Sequence, residues 1–246
     1  MSVSSFVLRA PLALRLALIG ALLASSPLRV FAQAPSTWSN TFESRLEILA
    51  LIQTLNAAIL ASPSATQSLE TWCRDHKMTD DPRIVARLVK GVDKVPTAEQ
   101  LQRLQVTGAN EVKYRRVELR CGSHVLSEAD NWYVPSRLTA EMNKLLETTD
   151  TPFGKAVQAL HPYRRTFAVT ILWSPLPAGW EQRRQPRLQP RQPRKLVIPK
   201  NLFEHRALLY TSDNKPFSEV NEFYQGQILA FPRARHKPAQ RDRESL

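Results

Sequence analysis

Two side chains of opposite charge, Arg116 and Glu222, stand inside runs that otherwise read as half-apolar strands. Arg116 lies in Tyr-Arg-Arg-Val-Glu-Leu, residues 114–119, and Glu222 in Pro-Phe-Ser-Glu-Val-Asn-Glu-Phe-Tyr, residues 216–224. If its strand is regular, Glu222 shares a face with Val220 and Tyr224. A carboxylate there is costly to bury unless it is paired or protonated. An arginine and a carboxylate facing one cavity suit a small carboxylated ligand. The guanidinium fork can hold the ligand through two hydrogen bonds, and the glutamate can move a proton. The same residues also fit a structural ion pair, or charges on an open sheet face.

Other chemistry finds less support. His76, His124, His161, His205 and His236 are widely spaced, and none has a histidine four residues away. That pattern predicts no metal site. No serine has the context of a nucleophile, and no dinucleotide or phosphate-loop motif is present; with only seven glycines, a phosphate-cradling loop is not expected. The two cysteines, Cys73 and Cys121, allow one disulfide or two buried free thiols. With no paired histidines beside them they argue against zinc.

The elements that must position these groups follow from periodicity. Phe42, Leu46, Leu49, Ile52, Leu55 and Ile59 recur at helical spacing, with Asn40 and Glu43 read as a capping box. A second helix is predicted from Ser64 to about His76, and a short one after a Thr97/Gln100 cap. Arg83–Val89 reads as a strand. Across Val112–Cys121 the chain alternates, with Tyr114, Arg116, Glu118 and Arg120 on one face and Arg115, Val117, Leu119 and Cys121 on the other. Gly122-Ser123 then turns the chain into an extended run over Val125–Pro135. Helices are predicted over Ser136–Leu146 and from Pro152, taken as a first helical position. A strand over Arg165–Trp173 should place Phe167, Val169, Ile171 and Trp173 together. Leu202–Tyr210 and Pro216–Tyr224 form a second hairpin around Asp213-Asn214. Helices followed by antiparallel hairpins predict an α+β domain.

The formal charge of +12 is carried by residues 1–34, 181–200 and 231–246, and the rest of the chain is neutral. The basicity therefore does not predict a nucleic-acid partner for the body. In residues 1–34, Arg9 and Arg15 precede an apolar run over Leu16–Ala24, and Val30-Phe31-Ala32-Gln33-Ala34 follows. This is the pattern of a cleavable export signal, cut after Ala32 or Ala34, and too short for a membrane anchor. The expected mature protein is periplasmic or secreted, monomeric, and a single domain over 35–230. A flexible basic insertion is expected over about 181–198, and a basic tail over 231–246.

The order of motifs in residues 114–224 resembles the chorismate lyase family, enzymes that remove pyruvate from chorismate to leave 4-hydroxybenzoate. The resemblance is carried by Tyr114-Arg115-Arg116-Val117-Glu118-Leu119, Asn131-Trp132-Tyr133-Val134-Pro135, Thr151-Pro152-Phe153-Gly154, Lys215-Pro216 and Asn221-Glu222-Phe223. It implies a six-stranded antiparallel sheet with flanking helices around an enclosed pocket. It also implies Arg116 as the carboxylate-holding arginine and Glu222 as the proton-transferring glutamate, given one extra residue before it. Phe153 would line the pocket. Asn131 stands where the family carries a second ligand-binding arginine, and Arg164, Arg165 or Arg206 are candidates to compensate. No cofactor is implied. The resulting expectation is a carbon–oxygen lyase acting on chorismate or a related enolpyruvyl acid. The alternatives are a non-catalytic binder of a small aromatic carboxylic acid and an envelope interaction protein working through the basic segments.

Overall fold

A helix whose apolar residues return every third or fourth position can bury only one stripe, and the first element does so. Helix α1, Phe42–Leu60, places Ile48, Ile52, Leu55 and Ile59 in the core. Its cap is Thr41, which accepts from the Ser44 amide, and not Asn40, whose side chain accepts from Arg45 Nε at 2.9 Å. The computed structural model describes residues 37–182 and 194–233. The expected export signal, most of the basic insertion and the end of the tail lie outside these residues.

Helix α2, Ala65–Asp75, is capped by Ser64 and buries Leu69, Trp72 and Cys73. Strand β1, Ile84–Leu88, follows, then α3, Ala98–Leu104, whose Thr97 and Gln100 form a reciprocal capping box. Strands β2, Lys113–Cys121, and β3, His124–Tyr133, make the first hairpin. Helix α4 spans Ala140–Thr148; the expected start at Ser136 is instead a 3-10 turn, and Thr139 supplies the cap. The four-residue α5, Phe153–Ala156, has Pro152 as its cap rather than its first residue. Strand β4, Tyr163–Ile171, precedes the second hairpin of β5, Asn201–Tyr210, and β6, Pro216–Gln225.

The six strands form one antiparallel sheet in the order β1-β2-β3-β6-β5-β4. The α+β class read from the sequence is the one observed. Helices α1 and α2 contribute to one apolar core with the inward residues of the strands. Among the described residues, four register shifts interrupt the ladder, and two of them bear on the strands that carry Glu222 and Arg164. Leu209 pairs with Ser218 but Tyr210 with Pro216, so Phe217 is the extra residue that precedes Glu222. Thr166 pairs with Ala207 and Ala168 with Arg206, so Phe167 is extra in β4. The strict alternation expected there is broken. Phe167 lies under the guanidinium groups of Arg103 and Arg206, while Val169 pairs with His205.

The insertion is shorter than expected at its end. Leu196 is buried, its amide donates to the Trp38 carbonyl, and Lys195 bridges to Ser39. Phe231 and Arg233 likewise pack on Trp38, so the chain stays anchored past residue 230. Among the described residues no helix is long and apolar enough to cross a membrane.

Cys73 of α2 and Cys121 at the end of β2 are joined in a disulfide, and both are fully buried. The link fastens a helix to a strand far away in sequence, which restricts the unfolded chain. Replacing both cysteines by alanine is expected to cost roughly 2–5 kcal/mol, read as a lower urea midpoint.

Candidate functional site

Between the sheet and the start of α2 lies a small, partly open cavity of about 60 Å³. Its floor is the inward face of three adjacent strands: Arg115, Val117 and Leu119 from β2, Ala129 and Asn131 from β3, and Val220 and Glu222 from β6. Ser64, Ala65 and Thr66 at the start of α2 line it from above, Phe153 and Gly154 of α5 from the side. At Gly154 a Cβ would lie 2.8 Å from Ser64 Oγ, so a larger residue would displace the side chain that caps α2.

Sequence parity decides which arginine reaches this space. Arg115 shares the inward face with Val117, Leu119 and Cys121, and it is 5% exposed. Arg116, one residue on, points to the opposite face. There it pairs with Glu128 at 3.1 Å and Asp130 at 3.4 Å. The assignment of Arg116 to the pocket is therefore corrected to Arg115. Successive strand residues face opposite sides, so a slip of one residue exchanges the two environments.

Arg115 is buried without a carboxylate. Its Nη2 donates to the Thr151 carbonyl at 3.1 Å, which ties it to the segment carrying Phe153. Its Nε and Nη1 are buried with no hydrogen-bond partner. Burial pushes the guanidinium below its ordinary pKa, but an arginine stays protonated. A buried charge with unused donors is costly, and a bound anion is the simplest group that would compensate it.

Glu222 lies in the same cavity, 5% exposed, and its Oε2 accepts from Arg164 Nη2 at 2.6 Å and from the Tyr224 hydroxyl at 2.8 Å. Arg164 belongs to β4 and reaches Glu222 across β5, whose small Ala207 lies on the inward face between Leu209 and His205. Burial is the largest single influence on Arg164 and lowers its pKa, but Glu222, through its charge and its hydrogen bond, together with Tyr224 carries the net shift upward. Burial and then the Glu222 charge raise the Tyr224 phenol well above its usual value. Of the three arginines considered as compensating cations, Arg164 is the one in the cavity. Asn131 also lines it, its Oδ1 accepting from the Ser218 hydroxyl at 2.6 Å. Phe153 borders it and stacks on Phe217. The structure thus brings together Glu222, Asn131 and Phe153, and leaves Arg116 out.

His205, beside Glu222 on β5, was not singled out from the sequence. It is fully buried, with Nε2 2.7 Å from Asn56 Oδ1 and Nδ1 without a partner. Burial lowers its pKa from 6.5 to about 4. No group of three or more His, Cys, Asp or Glu placed to hold a metal occurs among the described residues.

Two predictions follow from these environments. Arg115→Met removes a charge whose burial is poorly compensated, so stability should be unchanged or higher by about 1 kcal/mol, measured by urea unfolding. His205 is held neutral in the fold, so the unfolded chain binds more protons between the two pKa values. Its share of stability is full above pH 6.5 and is lost as pH falls toward 4. His205→Gln should flatten that part of the stability–pH curve.

No protein-family model matches the chain. Among solved structures it is similar to PhnF from Mycobacterium smegmatis, with 11% identity and a TM-score of 0.43 over 82% of this chain and 94% of that one. It is also similar to a GntR-family transcriptional regulator from Enterococcus faecalis V583, with 14% identity and a TM-score of 0.36 over 62% of this chain and 99% of that one. A curated relative, the uncharacterized protein y4mC of Sinorhizobium fredii, is 46% identical over 197 residues, covering 79% of this chain and 82% of its own. On that similarity, the chain belongs to the same protein family as y4mC.

Proposed function

We propose that the protein binds a small aromatic monocarboxylic acid, of the size of 4-hydroxybenzoate, in the cavity beneath α2. The observation that carries this reading is the buried Arg115 guanidinium, with two of its three nitrogens unused and no acid beside it. The ligand carboxylate would take those donors, and the N-terminus of α2 lining the same cavity adds favourable potential. Val117, Leu119, Ala129, Val220 and Phe153 supply apolar walls for a ring. The motif resemblance to chorismate lyase in residues 114–224 supports the same class of ligand.

Elimination of pyruvate from chorismate makes a larger demand. That substrate carries two carboxylates, and the cavity has one cation free for them, because Arg164 is already held by Glu222. The charge count favours binding over lyase activity. Export to an oxidising compartment, proposed from the first 34 residues, accords with the Cys73–Cys121 disulfide.

Titration calorimetry with 4-hydroxybenzoate tests the reading. Saturable binding that falls about 100-fold or more in Arg115→Met, with Arg116→Met close to wild type, is the expected result. Absence of binding, or equal losses in both variants, would contradict it. Incubation with chorismate should release no pyruvate; release that is lost in Arg115→Met would establish the lyase instead.

A further inference from the structure

The cavity is lined by three charged side chains, Arg115, Arg164 and Glu222. Arg164 and Glu222 are both nearly sealed from solvent, with side-chain exposures of 4% and 6%, and they neutralise each other at 2.6 Å. The net formal charge facing a ligand is therefore that of Arg115 alone. Glu222 and Arg115 stand on β6 and β2, with β3 between them, so their backbones are on the order of 10 Å apart. Both side chains line the same cavity, and that spacing leaves room for a benzoate ring between them.

We propose that Glu222 is a specificity residue: by occupying Arg164 it admits one ligand carboxylate and rejects a second. This deepens the binding reading and rests on it. A second carboxylate at the far end of the ring gives up its hydration and finds the Arg164 charge already taken by Glu222, with no free cation to receive it. A neutral polar group at the same position meets acceptors and donors it can use. Asn131, between Arg115 and Val220 on the cavity floor, is an uncharged amide and adds no cation. Rejection here comes from leaving a desolvated charge unpaired rather than from size.

The test uses terephthalate and its monoamide, two probes of the same shape that differ by one charge. Calorimetry on the wild type is expected to show the monoamide at least about tenfold tighter. Glu222→Gln keeps the shape and frees Arg164, so terephthalate should gain at least about tenfold relative to the monoamide. Asn131→Arg leaves the Arg164–Glu222 pair in place and adds a cation. It should move the ratio the same way, and it decides the matter if Glu222→Gln does not fold. Equal binding of the two probes by wild type overturns the proposal, as does an unchanged ratio in the folded variants. Failure of the wild type to bind the monoamide and 4-hydroxybenzoate alike would instead sink the binding reading.

Discussion

A guanidinium taken out of water and given no carboxylate is an unfavourable arrangement, and the sheet around Arg115 is built to sustain it. The outward face of the same sheet shows the ordinary solution. There Arg116 has Glu128 and Asp130, Lys94 has Asp130, and Arg103 has Glu219. Among the described residues, only Arg115, on the inward face, is a buried arginine with two nitrogens left unused. Folding stability gains nothing from such a group, and its replacement by an apolar residue is often neutral or favourable. A site that departs from good packing in this way is where function is sought. The Thr151 carbonyl holds one end of the fork, so the open donors have a fixed direction and lose little freedom when a ligand arrives.

The second ion pair defines the other end of the cavity. Arg164 and Glu222 come from strands separated by β5, and the small Ala207 lies inward between its neighbours there. Tyr224 donates to the same carboxylate oxygen, and His205 lies beside it as a neutral ring. Breaking such a pair by removing one partner leaves an uncompensated buried charge, and typical losses are about 3–5 kcal/mol. The pair is thus fixed structure as well as part of the ligand wall. The disulfide strengthens the frame, because it ties α2, whose first residues roof the cavity, to the strand that carries Arg115.

Much of this was legible in the residues. Alternation over 113–121 and the two hairpins gave the antiparallel sheet, and the Thr97/Gln100 pair gave the start of α3. Asn131, Phe153 and Glu222 were placed on the cavity by the order of motifs. The choice between Arg115 and Arg116 was also legible, since Arg115 shares its face with Val117, Leu119 and Cys121. A motif that contains two consecutive arginines leaves parity to be settled by burial, and the apolar neighbours hold that information. Other features were not legible. Arg164 reaches Glu222 across an intervening strand, a contact that no spacing in one strand can show. The bulge at Phe167 comes from pairing with β5, and the burial of His205 from the position of Asn56 on α1. Caps were near misses, with Thr41 and Pro152 each one residue from the expected position.

The central claim is that the Arg115 side chain receives a ligand carboxylate, and its own nuclei report this most directly. In a protein labelled with ¹⁵N, the Arg115 Nε–H resonance can be identified by its loss in Arg115→Met and followed during addition of 4-hydroxybenzoate. A saturable shift of that resonance, with slower exchange of its proton and little change at Arg116, is the result expected. Saturable binding that leaves the Arg115 resonance where it was would contradict the account.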